Sequence, residues 1–398
     1  MTSPARWGRA ARLAAAAVVF PLACVARGEP EAGSSDPAPS AIVPDASSAG
    51  ADAAAVPDAA AGRCSASRLC VEEVPIDEFV HLTSVWGSGA TDVWAVGAHG
   101  TILHYDGVAW RKAEVVAPDG GLLYTLRSVW LERPDDVWIV DGTTQVGGGG
   151  LLRHGVGWKG PSATTWTFFT PSDPSGFEPL IVRGKSDTVW IAHAGHRLLE
   201  AFDGWSGGAP GPSRTLAPAR MSAVTALAVS RADEVWAAGS CFDEAFVSRF
   251  GCVFRGSLST AGPVPEPPAW RFEEHDSRTN KALRGAWGDE SGAWLVGDAG
   301  TLRRMTRSAV PGKKLEIVKS PVVADLRGVF GFGPDDVWAV GEASTVLHWD
   351  GAVWTKLATP FDDASDRPML HAVWGSSPSD VWIVGDGTVL HFDEVNGR

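Results

Sequence analysis

The stretch Asp92-Val93-Trp94-Ala95-Val96-Gly97 decides how the chain is read, because it comes back six more times. The altered copies are Asp136-Val137-Trp138, Thr188-Val189-Trp190, Glu234-Val235-Trp236, Gly292-Ala293-Trp294, Asp336-Val337-Trp338 and Asp380-Val381-Trp382. Outward from the first copy, Leu82-Thr83-Ser84-Val85-Trp86 precedes it and Thr101-Ile102-Leu103-His104-Tyr105 follows it. Asp106-Gly107 then leads to Trp110. Each apolar run is short, rich in Val, Ile, Leu and aromatics, and bounded by Gly, Ser or Asp, which is the pattern of strands separated by turns. The runs are too often broken by Gly to be helices. One unit therefore predicts four antiparallel strands in a meander.

The marker tryptophans are spaced 44, 52, 46, 58, 44 and 44 residues apart, a mean of 48. Four strands in some 40–50 residues is the period of a propeller blade. Seven copies predict an all-β chain with seven four-stranded antiparallel blades, a seven-bladed β-propeller. The last copy has strand-like runs at Leu370–Trp374, Val381–Gly385 and Thr388–Phe392 but no fourth. The stretch from Val71 to Asp77, ahead of the first copy, is strand-like and unassigned. It is expected to complete the last blade, which would close the ring and remove two free sheet edges.

Composition fits this picture and excludes some partners. Nineteen Trp against two Tyr, most of them at repeated positions, point to packing residues. The formal net charge is -13, and the dense basic cluster of the first half is the N-terminus. A phosphate-binding surface needs clustered Lys and Arg, so no nucleic-acid partner is expected.

Residues 1–23 have the layout of a lipoprotein signal peptide: Arg6, Arg9 and Arg12, then the apolar run Leu13–Leu22, then small residues. Pro21-Leu22-Ala23-Cys24 resembles a bacterial lipobox, which implies that Cys24 is lipidated; ordinary cleavage is the alternative. Residues 24–63, rich in Ala, Pro, Ser, Asp and Gly, are expected to be a disordered tether. Residues 64–398 are expected to form the propeller. Setting Cys24 aside leaves Cys64, Cys70, Cys241 and Cys252, two local pairs that predict disulfides in an oxidising envelope. Their spacings lack the signature of a metal site, and no cofactor or metal is expected.

A resemblance can be attached to particular residues. Ala95-Val96-Gly97-Ala98-His99-Gly100-Thr101-Ile102-Leu103 and Tyr105-Asp106-Gly107-Val108-Ala109-Trp110 look like the repeats of propellers related to photosystem II assembly factors. They also resemble sialidase-type (BNR, or Asp-box) repeats and the Trp-rich repeat lipoproteins abundant in myxobacteria. The resemblance covers about residues 71–398 and implies the fold. It departs from the Asp-box Asp-x-Gly-x-Thr-Trp, because Asp106 and Gly107 are adjacent, as are Asp350 and Gly351 before Trp354.

Recurring His104, His154, His348 and His391 predict structural hydrogen bonds, since a catalytic residue is needed once. The acids Asp92, Asp136, Glu234, Asp336 and Asp380 are expected to accept backbone N–H groups in their turns. The residue after the first-strand Leu is Thr83, Arg127, Thr225, Arg284, Arg327 or His371, with Leu180 in the divergent third copy. Arg127, Arg284, Arg327 and His371 are therefore candidates for a basic rim around the channel; pairing with neighbouring acids is the alternative. Sequence variation between copies falls in the connections Gly142–Gly150, Ser240–Cys252 and Pro360–Met369, which share one face of a propeller and make that face the candidate binding surface. Asp362, Asp363 and Asp366 of the last read as a solvated turn or, less simply, a calcium loop.

These observations predict a non-catalytic, monomeric propeller lipoprotein of the cell envelope, on the outer membrane of a Gram-negative bacterium, that binds protein or glycan partners. No catalytic residues are assigned. The alternative is a secreted carbohydrate-active enzyme, a glycoside hydrolase or lyase of propeller fold, which needs two carboxylates facing one cleft.

Overall fold

The alternating faces of a strand explain why the marker phrase is apolar throughout. Val93 and Ala95 pack with Trp374, Trp382 and Val384, whereas Trp94 and Val96 pack with Leu126, Val129 and Ile139. One strand thus serves two cores, one against each neighbour, and period-2 alternation becomes a continuous apolar run. All seven marker tryptophans are at most 2 % exposed.

The structure, a computed structural model, describes residues 64–114, 124–142, 152–169, 179–193, 197–206, 208–242, 248–259, 269–306 and 314–393. The first blade runs Leu82–Gly89, Asp92–Gly97, Ile102–Tyr105 and Trp110–Lys112, each strand antiparallel to the next. The same order recurs in five further sheets whose first strands are Thr125–Leu131, Pro179–Lys185, Met221–Arg231, Leu283–Asp289 and Leu326–Gly333. The third blade carries an added hairpin, Trp205–Ser206 with Ala209–Pro210. Each first strand lies beside those of both neighbouring blades, and the cycle closes between Leu370–Ser377 and Leu82–Gly89. The first strands therefore line a central channel, and the chain is a seven-bladed β-propeller.

The seventh blade consists of Leu370–Ser377, Asp380–Gly385 and Thr388–Asp393, completed by Leu69–Val71. The closing strand is shorter and earlier than the expected Val71–Asp77. Leu69 pairs with Phe392 and Val71 with Leu390. Beyond Glu72, whose N–H still reaches Val389, Pro75 brings no donor and Ile76 N–H turns back onto Val74. Val74 and Ile76 leave the sheet to pack against the core between the seventh and first blades.

Disulfides join Cys64 to Cys70 and Cys241 to Cys252. The expected expansion at Ser240–Cys252 is in part strand: Glu234–Phe242 and Ser248–Ser259 run on as a long hairpin. The Asp-Gly variant is the turn between third and fourth strands. Asp106 Oδ1 accepts the N–H groups of Val108 and Ala109 at 3.1 and 3.0 Å, while Gly107 takes φ +88°. Asp350 and Gly351 repeat the arrangement. The signal peptide, Cys24 and the tether lie outside the described residues, as does most of the connection after Gly142.

Candidate functional site

The channel, about 1100 Å³, is built from positions at which the first strands differ. In every blade the register of the first strand shifts by one residue near its start, and the fourth blade has a further shift at Ser222. The extra residue is Thr83, Arg127, Leu180, Thr225, Arg284, Arg327 or His371 in turn. A bulge leaves one residue outside the ladder and re-aims its side chain. The variable column found in the sequence is thus a ring of bulges at one mouth of the channel.

The mouth is not a basic rim. Arg284 makes a two-pronged pair with Asp298 at 2.7 and 3.0 Å. Arg327 reaches Glu342 at 3.2 Å and Asp325 at 3.8 Å, and His371 Nε2 meets Asp386 Oδ1 at 2.7 Å. The Arg284 hydrogen bond holds the Asp298 carboxyl below its ordinary range against a smaller opposing effect of burial. Over these three blades the acids Asp298, Asp325, Glu342 and Asp386 outnumber the two guanidiniums they face. Arg127 lies against Gly142 near Asp141, a carboxylate buried with Arg153 at 2.6 Å. Where the bulge holds threonine it joins blades: Thr83 Oγ1 donates to Leu126 O at 2.6 Å, and Thr225 Oγ1 to Leu283 O at 2.5 Å.

Deeper in the channel lies a second ring that sequence reasoning missed. The residue paired with the marker Trp across the first two strands is Trp86, Trp130, Trp287, Phe330 or Trp374 in five blades. Phe330 makes ring contacts with Trp86, Trp287 and Trp374, so aromatic side chains converge there and narrow the channel. In the third blade the position is Arg183, and in the fourth it is Ala228. The collar is therefore broken by one cation beside one gap.

Arg183 stacks its guanidinium on Trp86 at 4.7 Å and donates from Nη1 to Ser128 Oγ at 2.9 Å and to Val182 O at 2.7 Å. Among the described residues no carboxylate lies within ion-pairing distance of it. Burial alone pushes its pKa down to about 10, with no neighbouring anion to oppose the shift, so it remains a cation at neutral pH. Its side chain is only partly buried and lines the channel, so an anion in the channel can reach it.

The recurring histidines each pair with the acid of their own blade. His104 Nε2 donates to Asp92 Oδ1 at 2.8 Å, and the same carboxylate accepts Trp94 Nε1 at 3.0 Å and Ser88 Oγ at 2.5 Å. His154, His348 and His391 meet Asp136, Asp336 and Asp380 at 2.7–2.8 Å. The fourth blade substitutes Arg255 on Glu234. The acids thus take side-chain donors inside the blade and not the expected backbone N–H groups of the turn. Burial pushes the Asp92 carboxyl up, but the His104 and Ser88 hydrogen bonds outweigh it and hold it low. In the last connection, Asp362 accepts from Thr359 N and Oγ1, at 3.0 Å each, and so caps its own turn.

No protein-family model matches the chain, and no curated protein matches it in sequence. Solved structures do match in fold. A structure of YCF48, a photosystem II assembly factor, described as bound to D1 peptide, superposes with a TM-score of 0.60 at 15 % identity, over 83 % of this chain and 97 % of that one. YCF48 from Cyanidioschyzon merolae gives 0.59 at 16 % identity over 83 % and 100 %. The WD40 propeller domain of Doa1 gives 0.55 at 11 % identity over 83 % and 97 %. These likenesses are of fold alone, and the class they define is the β-propeller.

Proposed function

We propose that the protein is a non-catalytic binding propeller that takes an acidic or C-terminal segment of a polypeptide into its channel, with the carboxylate on Arg183. The observation that carries this reading is the uncompensated guanidinium at the broken point of an aromatic collar. A carboxylate entering there would gain a charge-assisted hydrogen bond in a desolvated site, and the rings beside it would cover the apolar stem. The volume stands at the upper end of ordinary ligand clefts. That one structural neighbour is described as bound to a peptide supports a polypeptide over a glycan.

The reading extends to location. A lipidated Cys24 and a flexible 24–63 tether would hold the ring at the cell envelope, on the outer membrane. The two disulfides agree with an oxidising compartment. The test is a peptide array probed with the full chain, each peptide as free acid and as C-terminal amide. Free-acid or acidic peptides are expected to be retained, and Arg183→Met to lose them at least tenfold while keeping the fold. Binding indifferent to the Arg183→Met change would overturn the assignment. Mass spectrometry of the envelope-extracted protein tests the anchor: an unmodified Cys24 refutes it.

A further inference from the structure

At the seam where the ring closes, the repeat exchanges an arginine–acid pair for a different donor set. In the fifth blade the bulge residue Arg284 meets Asp298, and the sixth blade adds Asp325 from the residue ahead of its first-strand Leu. The same three slots between the seventh and first blades hold His371, Asp386 and His81. His81 Nδ1 lies 2.6 Å and His371 Nε2 2.7 Å from the same oxygen, Asp386 Oδ1. The three ligand atoms all fall within 4.8 Å of one another. A guanidinium cannot ligate a cation, whereas two imidazoles and a carboxylate are a recurrent set of metal ligands.

We propose that His81, His371 and Asp386 bind a divalent late first-row metal ion, with Zn²⁺ the best fit to the N, N, O donors, and that the ion clamps the ring shut. The backbone around the three ligands is fixed on both sides of the seam. His81 and Asp386 form a β-bridge, Gly387 N–H donates to Val80 O at 2.9 Å, and Asp386 N–H to Met369 O at 2.9 Å. Gly387 takes φ +62°, which lets the two-residue turn present Asp386 toward His81. The side chains are accessible: His81 is 60 %, Asp386 31 % and His371 25 % exposed, so an ion can enter and waters can complete its shell.

The adjustment needed is small. Ligands on bonds of about 2.0–2.1 Å around a tetrahedral ion lie roughly 3.3 Å apart, so each imidazole must withdraw by about 0.6 Å from the carboxylate oxygen it now meets. Metal takes the place of the hydrogens that His81 Nδ1 and His371 Nε2 now donate to Asp386, and each neutral imidazole keeps its proton on the other ring nitrogen. No spacing in the sequence announces the site, because residue 81 reaches 371 and 386 only through closure of the ring.

The test is titration of the full, oxidised chain with Zn²⁺ by calorimetry and with Co²⁺ by visible absorption, alongside thermal unfolding. One ion per chain is expected at this site, with tetrahedral or five-coordinate cobalt bands and a rise in Tm that a chelator reverses. His81→Ala is expected to weaken that binding at least tenfold and to abolish the Tm rise. His371→Arg is the variant that protects the test against misfolding, since it restores the arginine–acid pair of the fifth and sixth blades. It should fold with the parent's Tm in chelator and gain nothing from zinc. Unchanged stoichiometry, affinity and cobalt spectrum in both variants would overturn the proposal, as would absence of zinc-dependent stabilisation in the parent. Either result would leave the cluster as two imidazoles sharing one carboxylate.

Discussion

Asp92→Ala isolates the network that repeats in the blades. The carboxylate accepts from Trp94 Nε1, His104 Nε2 and Ser88 Oγ. Trp94 is fully buried and His104 is 3 % exposed, so neither can find water when the acceptor goes. Switching the His104 tautomer does not help, because Nδ1 is also buried without a partner among the described residues. A buried donor left unmade costs about 1–3 kcal/mol, and Ser88 can turn to solvent, so the change is expected to cost about 2–5 kcal/mol. Asp92→Asn keeps one acceptor oxygen without its charge and should cost about 1–2 kcal/mol. Urea unfolding with a freely fitted slope measures both. A double-mutant cycle with His104→Ala should return a coupling of at least about 1 kcal/mol, since the pair is in direct contact. The loss should also reproduce itself with pH. Asp92 is held below its ordinary 3.8, so its contribution is present above that value and disappears as pH falls through the folded pKa. An Asp92→Ala protein within about 0.5 kcal/mol of the parent, or a coupling near zero, would refute this account.

Other expectations follow from the seam, the bulges and the mouth. His391 is pushed down by burial but raised more by Asp380 and Glu72, ending above its ordinary 6.5. Its contribution is therefore complete below pH 6.5 and lost as pH rises through the folded value, and Tm measured upward from that pH should fall more in the parent than in His391→Gln. Thr83→Val removes the donor to Leu126 O and should cost about 1 kcal/mol in denaturant, with Thr225→Val behaving alike. Arg284→Ala should cost no more than about 1 kcal/mol despite its two-pronged geometry, because the pair is half in water; added salt should shrink the difference.

The architecture was legible because the repeat is periodic and buried on two sides. A four-strand period and a marker tryptophan in every copy leave few folds to choose from, and the missing fourth strand at the end pointed to closure by the N-terminal stretch. The closing strand is less legible: Val71–Asp77 looks extended by composition, while Pro75 and the inward packing of Val74 and Ile76 decide where the ladder stops. The basic rim failed for a more instructive reason. Arg284 and Asp298 are 14 residues apart, while Arg327 and Glu342, and His371 and Asp386, are 15 apart. The copies with threonine at the bulge, Thr83 and Thr225, have Ala98 and Ser240 in the acid's place. Although the second copy has Arg127 with Gly142 in the acid's place, in these five copies cation and acid vary together. The same holds for Asp92 with His104 and Glu234 with Arg255, each seen as a recurring residue but not as a pair.

Seven copies of one unit also act as an internal control on which positions are free to differ. Positions between blades meet nearly the same surroundings in each blade, because pseudo-rotation carries one interface onto the next; the marker tryptophan accordingly recurs seven times. Positions facing the channel share a single space, and packing sets no requirement that they match. A collar of seven tryptophans would overfill that space, so some must shrink. Shrinkage alone explains Ala228. It does not explain Arg183, because a small apolar residue would relieve crowding without placing in the channel wall a charge that lacks a carboxylate partner among the described residues. A cation at one point of a seven-fold ring, next to its widest gap, is suited to a ligand that has an anionic end and no seven-fold symmetry. On the proposed reading the channel is where specificity resides, and the blades are the frame that holds it open.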